Sequence, residues 1–143
     1  MARDPLQTVL RLRRMDLDSC RAELVHKDTR AHEAAIVVQA AEARIQAEMA
    51  AASRLSASDA AVEAFGAWLP KGREAVAHAI AVLERAQQDA AQARALLNLA
   101  RAAAEAVERM LEQKAVDATR EELRVQQVSL DEVGLRPRPK PAG

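Results

Sequence analysis

The sequence predicts an all-α protein, a long antiparallel two-helix coiled-coil hairpin that forms an elongated rod. Alanine supplies 34 of the 143 residues, whereas Phe and Trp occur once each and Tyr is absent. Apolar residues recur every seven positions in both halves of the chain, and only four Gly and five Pro remain for turns. Small and aliphatic side chains fill a thin seam between helices better than a broad core, so this composition favours paired helices over a sheet.

The first helix is predicted from about residue 5 to residue 55. Asp4 is an N-capping residue, Pro5 suits the first helical position, and Gln7 stands three residues after the cap. One seven-residue column is apolar throughout and consists of Leu10, Leu17, Leu24, Ala31, Val38, Ile45 and Ala52. Its companion column is poorer and consists of Leu6, Arg13, Cys20, Lys27, Ala34, Ala41, Glu48 and Leu55. A repeat of this length predicts a left-handed supercoil with a partner helix.

The second half of the chain carries a stronger version of the same pattern. One column is unbroken and consists of Val76, Leu83, Ala90, Leu97, Ala104, Leu111, Ala118 and Val125. The column three residues later consists of Ala79, Ala86, Ala93, Ala100, Val107, Lys114, Glu121 and Val128. Alternating leucine-type and alanine positions allow two helices to approach closely, and the polar members near the end predict looser packing there.

The segment between the two patterns predicts a turn at about 56–59, followed by a short helix at 60–69. Pro70 and Gly72 then place the start of the second long helix near residue 71, or a kink in one helix running through from Ala60. That helix is expected to end near residue 133. The hairpin domain therefore covers 1–133, and 134–143 form an extended basic, proline-rich tail.

Two seams joined by a short connection are expected to pair within one chain, because isolated amphipathic helices are marginal until their apolar stripes are covered. The alternative is a single bent helix that pairs with a second chain. Ser56, Ser58 and Asp59 are turn and capping residues, and they favour the hairpin.

Composition and charge exclude several functions. The 21 basic and 21 acidic side chains cancel, which argues against a nucleic-acid-binding protein, and two aromatic residues are too few for a base-stacking platform. One cysteine excludes an internal disulfide framework. No apolar run is long enough to span a membrane and no signal peptide is recognisable, so a cytoplasmic protein is expected.

The residues that commonly carry chemistry do not form a recognisable catalytic pattern. His26, His32 and His78 are expected to be solvated on helix surfaces, and Cys20 to behave as a small buried apolar residue. The sequence contains no glycine-rich phosphate loop or nucleophile elbow, and a two-helix protein offers no concavity to enclose a substrate. We therefore expect no enzyme activity, no metal and no cofactor.

Two clusters are candidate interaction sites. Phe65, Trp68 and Leu69 have the i, i+3, i+4 spacing of one helix face, and they form either a cap over the turn or a docking patch. The basic cluster Arg11–Arg14 is either a solvated face or an electrostatic docking site that acts with the basic tail. In the first case it would be balanced by acidic residues of the antiparallel helix, namely Glu121, Glu122, Asp131 and Glu132.

Three segments resemble the FliJ family of flagellar export proteins. They are Pro-Leu-x-x-x-Leu-Arg-Leu-Arg at Pro5–Arg13, Phe-Gly-Ala-Trp-Leu at Phe65–Leu69, and Val-Ser-Leu-Asp-Glu at Val128–Glu132. The resemblance implies an antiparallel coiled-coil stalk of the flagellar type III export apparatus, similar in shape to the central shaft of rotary ATPases. Such a stalk sits in the pore of the hexameric export ATPase, contacts the cytoplasmic domain of the export gate and escorts export chaperones.

The same resemblance assigns residues to two partner contacts and implies attachment to the flagellar basal body, and so to the membrane, through partners only. Phe65 and Leu69 would contact the export gate, with Trp68 beside them on the same face. The paired helix ends would enter the ATPase ring through Leu6, Leu10, Arg11, Arg13, Arg14, Leu130 and Asp131.

Three alternatives differ in function. The first is a stalk of the related injectisome, and the second is a plain dimerisation module in which two chains complete a four-helix bundle. The third is a reversible membrane-surface helix, which is disfavoured because the stripes lack the bulky apolar residues and lysine-rich flank typical of such helices.

Overall fold

The computed structural model describes residues 4–54 and 58–135, which form two helices and contain no strand. Helix α1 spans Pro5–Ala52, and helix α2 spans Asp59–Leu135. Two ion pairs between the helices show that they are antiparallel. Asp4 pairs with Lys114, whereas Arg14, which lies later in the chain than Asp4, pairs with Glu108, which lies earlier than Lys114. The predicted all-α two-helix hairpin is confirmed.

Side chains cap both helix starts. The Oδ1 atom of Asp4 accepts a 3.0 Å hydrogen bond from the Leu6 N–H, which satisfies one of the free amides of the first turn of α1. Ser58 caps α2, since its Oγ accepts from the Ala61 N–H at 3.3 Å. The helix α1 ends at Ala52 rather than residue 55, and residues 56 and 57 of the predicted turn lie outside the described residues.

Helix α2 runs through Pro70 without interruption. The predicted separate helix at 60–69 with a new start near 71 is therefore wrong, and the alternative of one helix running through from Ala60 is confirmed in its continuity. Proline lacks an N–H and its ring crowds the carbonyl four residues earlier, at a typical cost of about 3 kcal/mol inside a helix. Half-buried Leu69 and Val76 then hold the segments on both sides of Pro70 in the seam.

The chain divides into two compact units, each of which contains part of both helices. In the unit formed by Met15–Arg101, the predicted columns form the core: Ala34, Ala79, Ala90, Ala93 and Leu97 are buried. In the unit that combines the described parts of Met1–Arg14 and Ala102–Gly143, the buried residues are Leu10, Ala104 and Val107. The seven-residue columns therefore identify the core correctly in both units.

The second seam is covered over a shorter length than predicted. Leu111 is half-buried, and every residue from 112 to 135 is exposed, including the column members Ala118, Val125 and Val128. The reason is register. Asp4, the residue before α1, lies beside Lys114 of α2. Helix α1 therefore begins next to Lys114, and residues 115–135 of α2 extend beyond it. We call residues 115–135 the α2 extension.

Candidate interaction surfaces

The aromatic cluster, which we define as Phe65, Trp68 and Leu69, lies at the start of α2. All three residues are half-buried. Phe65 and Leu69 continue the two seam columns, because Leu69 stands seven residues before Val76 and Phe65 fourteen before Ala79. The ring centroids of Phe65 and Trp68 are 6.2 Å apart with a tilt of 35°, within the range of favourable aromatic pairs. The cluster therefore packs as part of the hairpin seam, and only a fraction of its surface remains for a partner.

Trp68 contacts both helices. Its ring lies against Gly72 one turn later, so close that a Cβ at position 72 would be 2.7 Å from Cη2 and 2.9 Å from Cζ3. The guanidinium carbon of Arg44, from α1, is 5.3 Å from the ring centroid, a cation–π distance. We call this arrangement the Arg44–Trp68–Gly72 contact.

The start of α1 divides into a buried and an exposed part. Leu10 is buried and Leu6 half-buried, so both support the helix pair, whereas Arg11, Arg13 and Arg14 are exposed. Arg14 forms a 3.3 Å ion pair with Glu108. The expected balance of this cluster by Glu121, Glu122, Asp131 and Glu132 is wrong, because those residues lie on the α2 extension, beyond the end of the described part of α1.

A charged hydrogen bond joins the helices where their pairing ends. Lys114 Nζ donates to Asp4 Oδ2 at 2.8 Å, while the other carboxylate oxygen of Asp4 accepts from the Leu6 N–H. The lysine hydrogen bond and then the backbone hydrogen bond lower the pKa of Asp4 below its ordinary value of 3.8, because both favour the charged carboxylate. Lys114, predicted as a polar exception in the seam, thus has a specific partner.

The α2 extension exposes two apolar stripes. One consists of Val116, Leu123, Leu130 and Val133, and the other of Ala118, Val125, Val128 and Leu135. Nine residues separate Val116 from Val125, which turns an α-helix through about 180°, so the stripes lie on opposite faces. Exposed apolar stripes of this kind are candidate surfaces for binding another protein.

Charged and amide side chains of the extension bond within the helix. Arg124 donates to Glu121 at 2.7 and 3.1 Å, which lowers the pKa of Glu121 and raises that of Arg124. Gln127 donates to Asp131 at 3.1 Å. Leu130 is 66% exposed, and it lies sixteen residues beyond Lys114, about 24 Å along the helix. The structure therefore does not bring Leu130 and Asp131 together with Leu6–Arg14.

The other chemically distinctive residues remain dispersed. His26, His32 and His78 are exposed as expected, and Cys20 is half-buried. Within residues 4–54 and 58–135, no three His, Cys, Asp or Glu side chains are grouped closely enough to hold a metal ion. Within the part of the chain that the structure describes, neither helix contains an apolar stretch that could span a membrane.

Neither a contact at Gly72 nor a role for Arg44 was predicted from the sequence. Extending the second pair of columns backwards from Val76 and Ala79 places Leu69, Gly72 and Phe65 in the seam. A glycine in such a column leaves space that a neighbouring side chain fills. The contribution of Arg44 had no sequence signal, because it depends on the register of α1 against α2.

The fold and these surfaces define a helical-hairpin protein whose candidate sites are exposed helix faces. Comparison with protein families, with characterised proteins and with solved structures finds no match to this chain.

Proposed function

We propose that the protein is a non-catalytic stalk and adaptor of the bacterial flagellar type III export apparatus. It couples the export ATPase ring to the export gate and escorts export chaperones in the cytoplasm, attached to the basal body through its partners. The observation that carries this proposal is the order of the three FliJ-like segments along a two-helix hairpin: one at the start of α1, one at the start of α2 and one near the end of α2.

The gate contact involves the exposed part of the aromatic cluster. Phe65 and Leu69 are half-buried, so their inner surfaces stabilise the hairpin while their outer surfaces remain accessible. Val62, one turn earlier on α2 and 54% exposed, adds apolar area beside them. A small patch of this kind, with aromatic anchors, is typical of interface hot spots.

The α2 extension is the segment that enters the ATPase ring. Its two opposite apolar stripes suit a helix surrounded on several sides, and Leu130 and Asp131 lie in its last turns. Arg11, Arg13 and Arg14 provide an exposed basic surface where the helix pairing ends, and this surface contacts the mouth of the ring. Leu6 and Leu10 act indirectly by holding α1 against α2.

Co-purification with the ATPase and with the gate domain tests the proposal. We expect the wild-type protein to bind both, and a Phe65→Ala/Leu69→Ala double variant to bind the gate about 30-fold more weakly, which corresponds to about 2 kcal/mol. The matched control is Ile80→Ala/Val82→Ala, which truncates two exposed apolar side chains of the same helix. Wild-type gate binding by a folded double variant would remove the assignment of this patch.

An injectisome stalk would act in the same way but with different partners. Binding to injectisome proteins rather than flagellar proteins would therefore identify it. The dimerisation module is favoured by the exposed large apolar residues, such as Leu99, Leu123 and Leu130. Analytical ultracentrifugation distinguishes it: a stable dimer that binds neither ATPase nor gate supports the module, and a monomer that binds both supports the stalk.

A further inference from the structure

The indole of Trp68 occupies space that the seam leaves empty at Gly72. Position 72 belongs to the same column as Ala79, Ala86 and Ala93, and Gly72 is buried. A Cβ there would lie 2.7, 2.9 and 3.1 Å from three indole carbons, well inside the contact distance of about 3.5–4.0 Å. The glycine is therefore what allows the ring to lie across the column.

The same ring is held from the opposite helix. The guanidinium of Arg44 lies over it at 5.3 Å, and the Phe65 ring lies 6.2 Å from it. One side chain thus connects α1, the seam position at Gly72 and the aromatic residue proposed to contact the gate. Displacing the indole removes all three connections at once.

We propose that Arg44 and Gly72 are positioning residues for the gate-binding patch. They hold the indole of Trp68 in place. The indole in turn orients Phe65 and aligns the first turns of α2 with α1. Neither residue contacts the partner. This inference rests on the proposed function for the identity of the partner, whereas the position of the indole is tested without any partner.

Two glycines on one helix provide a matched pair of variants. Gly72→Ala places a methyl group in the space of the indole, whereas Gly66→Ala meets nothing within 4 Å and is exposed. Trp68 is the sole tryptophan, so its fluorescence reports the ring directly. We expect Gly72→Ala to shift the emission to longer wavelength and to increase quenching by acrylamide, and Gly66→Ala to leave both unchanged.

A second pair of variants tests Arg44. Arg44→Gln removes the cation above the ring, Arg44→Lys keeps it, and Arg30→Gln removes an exposed arginine elsewhere on α1. We expect Arg44→Gln to weaken binding to the purified gate domain about 2- to 5-fold, the range of an exposed cation–π contact, with partial rescue by Arg44→Lys. Gly72→Ala should weaken binding at least as much, and the two controls should bind as wild type.

The outcomes separate the two proposals. Unchanged fluorescence in Gly72→Ala, or a displaced indole with wild-type gate binding, overturns the positioning roles and leaves the proposed function intact. Absence of gate binding by the wild-type protein overturns the proposed function and the gate-orienting role with it, even if the fluorescence shift is observed. If Gly72→Ala does not fold, the same criteria are applied to Arg44→Gln. Unchanged fluorescence, or a displaced indole with wild-type gate binding, then overturns the positioning roles.

Discussion

Lys114 donates a 2.8 Å hydrogen bond to the carboxylate of Asp4, which joins the residue that caps α1 to a point well before the end of α2. The bond lies at the end of the described helix pair. The buried and half-buried residues of α2 all precede Lys114, and residues 115–135 are exposed. This one contact therefore separates the part of α2 that stabilises the hairpin from the part that is available to a partner.

Acid should weaken the helix ends through Asp4. Its pKa is lower in the folded protein than the ordinary 3.8, so the folded state releases this proton more readily than the unfolded state. The resulting stabilisation is present above the unfolded pKa and is lost as pH falls through the lowered folded value. We expect the melting temperature to fall below about pH 4 and Asp4→Asn, which keeps a capping side chain, to reduce this dependence. Circular dichroism melts across this range measure it.

Lys114→Gln provides the complementary test, because it removes the main cause of the lowered pKa of Asp4 while leaving the carboxylate in place. Its acid dependence should resemble that of Asp4→Asn. Identical slopes in wild type and both variants would show that this pair does not contribute to the pH dependence.

Truncation of Leu97 should destabilise the hairpin far more than truncation of Leu99. Leu97 is 7% exposed in the seam, whereas Leu99, two residues later, is 67% exposed. Leu97→Ala is expected to lower the free energy of unfolding by about 2–4 kcal/mol, and Leu99→Ala by about 0.5 kcal/mol or less. Urea unfolding followed by circular dichroism compares them. Equal losses would contradict the orientation of α2.

Enlarging the alanine seam should also be destabilising. Ala93 is 5% exposed and Ala95 is exposed, so leucine is accommodated only at the second position. We expect Ala93→Leu to cost about 1–3 kcal/mol through overpacking and Ala95→Leu to be nearly neutral. The same unfolding measurement applies, and an Ala93→Leu variant as stable as wild type would show that the helices are not closely packed there.

Backbone amides of the α2 extension should exchange with solvent much faster than those of the paired segment. A single helix without tertiary packing is only marginally stable, so residues 115–135 open locally. We expect strong protection at residues 90–107, where the seam is buried, and weak protection in the extension. Hydrogen–deuterium exchange with mass spectrometry resolves the two. Addition of a partner that covers the extension should restore protection.

Much of the fold was predictable because it depends on local patterns. The seven-residue columns identified Leu10, Ala34, Ala90, Leu97 and Ala104 as seam residues, since periodicity alone decides which residues share a helix face. Asp4 and Ser58 were recognisable as caps, because their side chains bond amides two or three residues away. The clustering of Phe65, Trp68 and Leu69 on one face followed from their spacing.

Other features required the opposite helix. Leu111 and Val125 belong to the same column, yet only Leu111 is covered, because the start of α1 and its register against α2 decide where burial stops. Local rules allowed either a break at Pro70 or one helix running through it, and packing of seam residues on both sides keeps α2 continuous. The exposed extension is thus a consequence of unequal helix lengths, α1 with 48 residues and α2 with 77.

By itself, the sequence determined the helical class, the two capped starts and the faces that meet, since each depends on residues within one or two turns. The tertiary structure alone decided the register, the pairing of Arg14 with Glu108, and the contact of Arg44 with Trp68. These contacts join residues far apart in the chain, so their geometry arises only when α1 and α2 pack against each other.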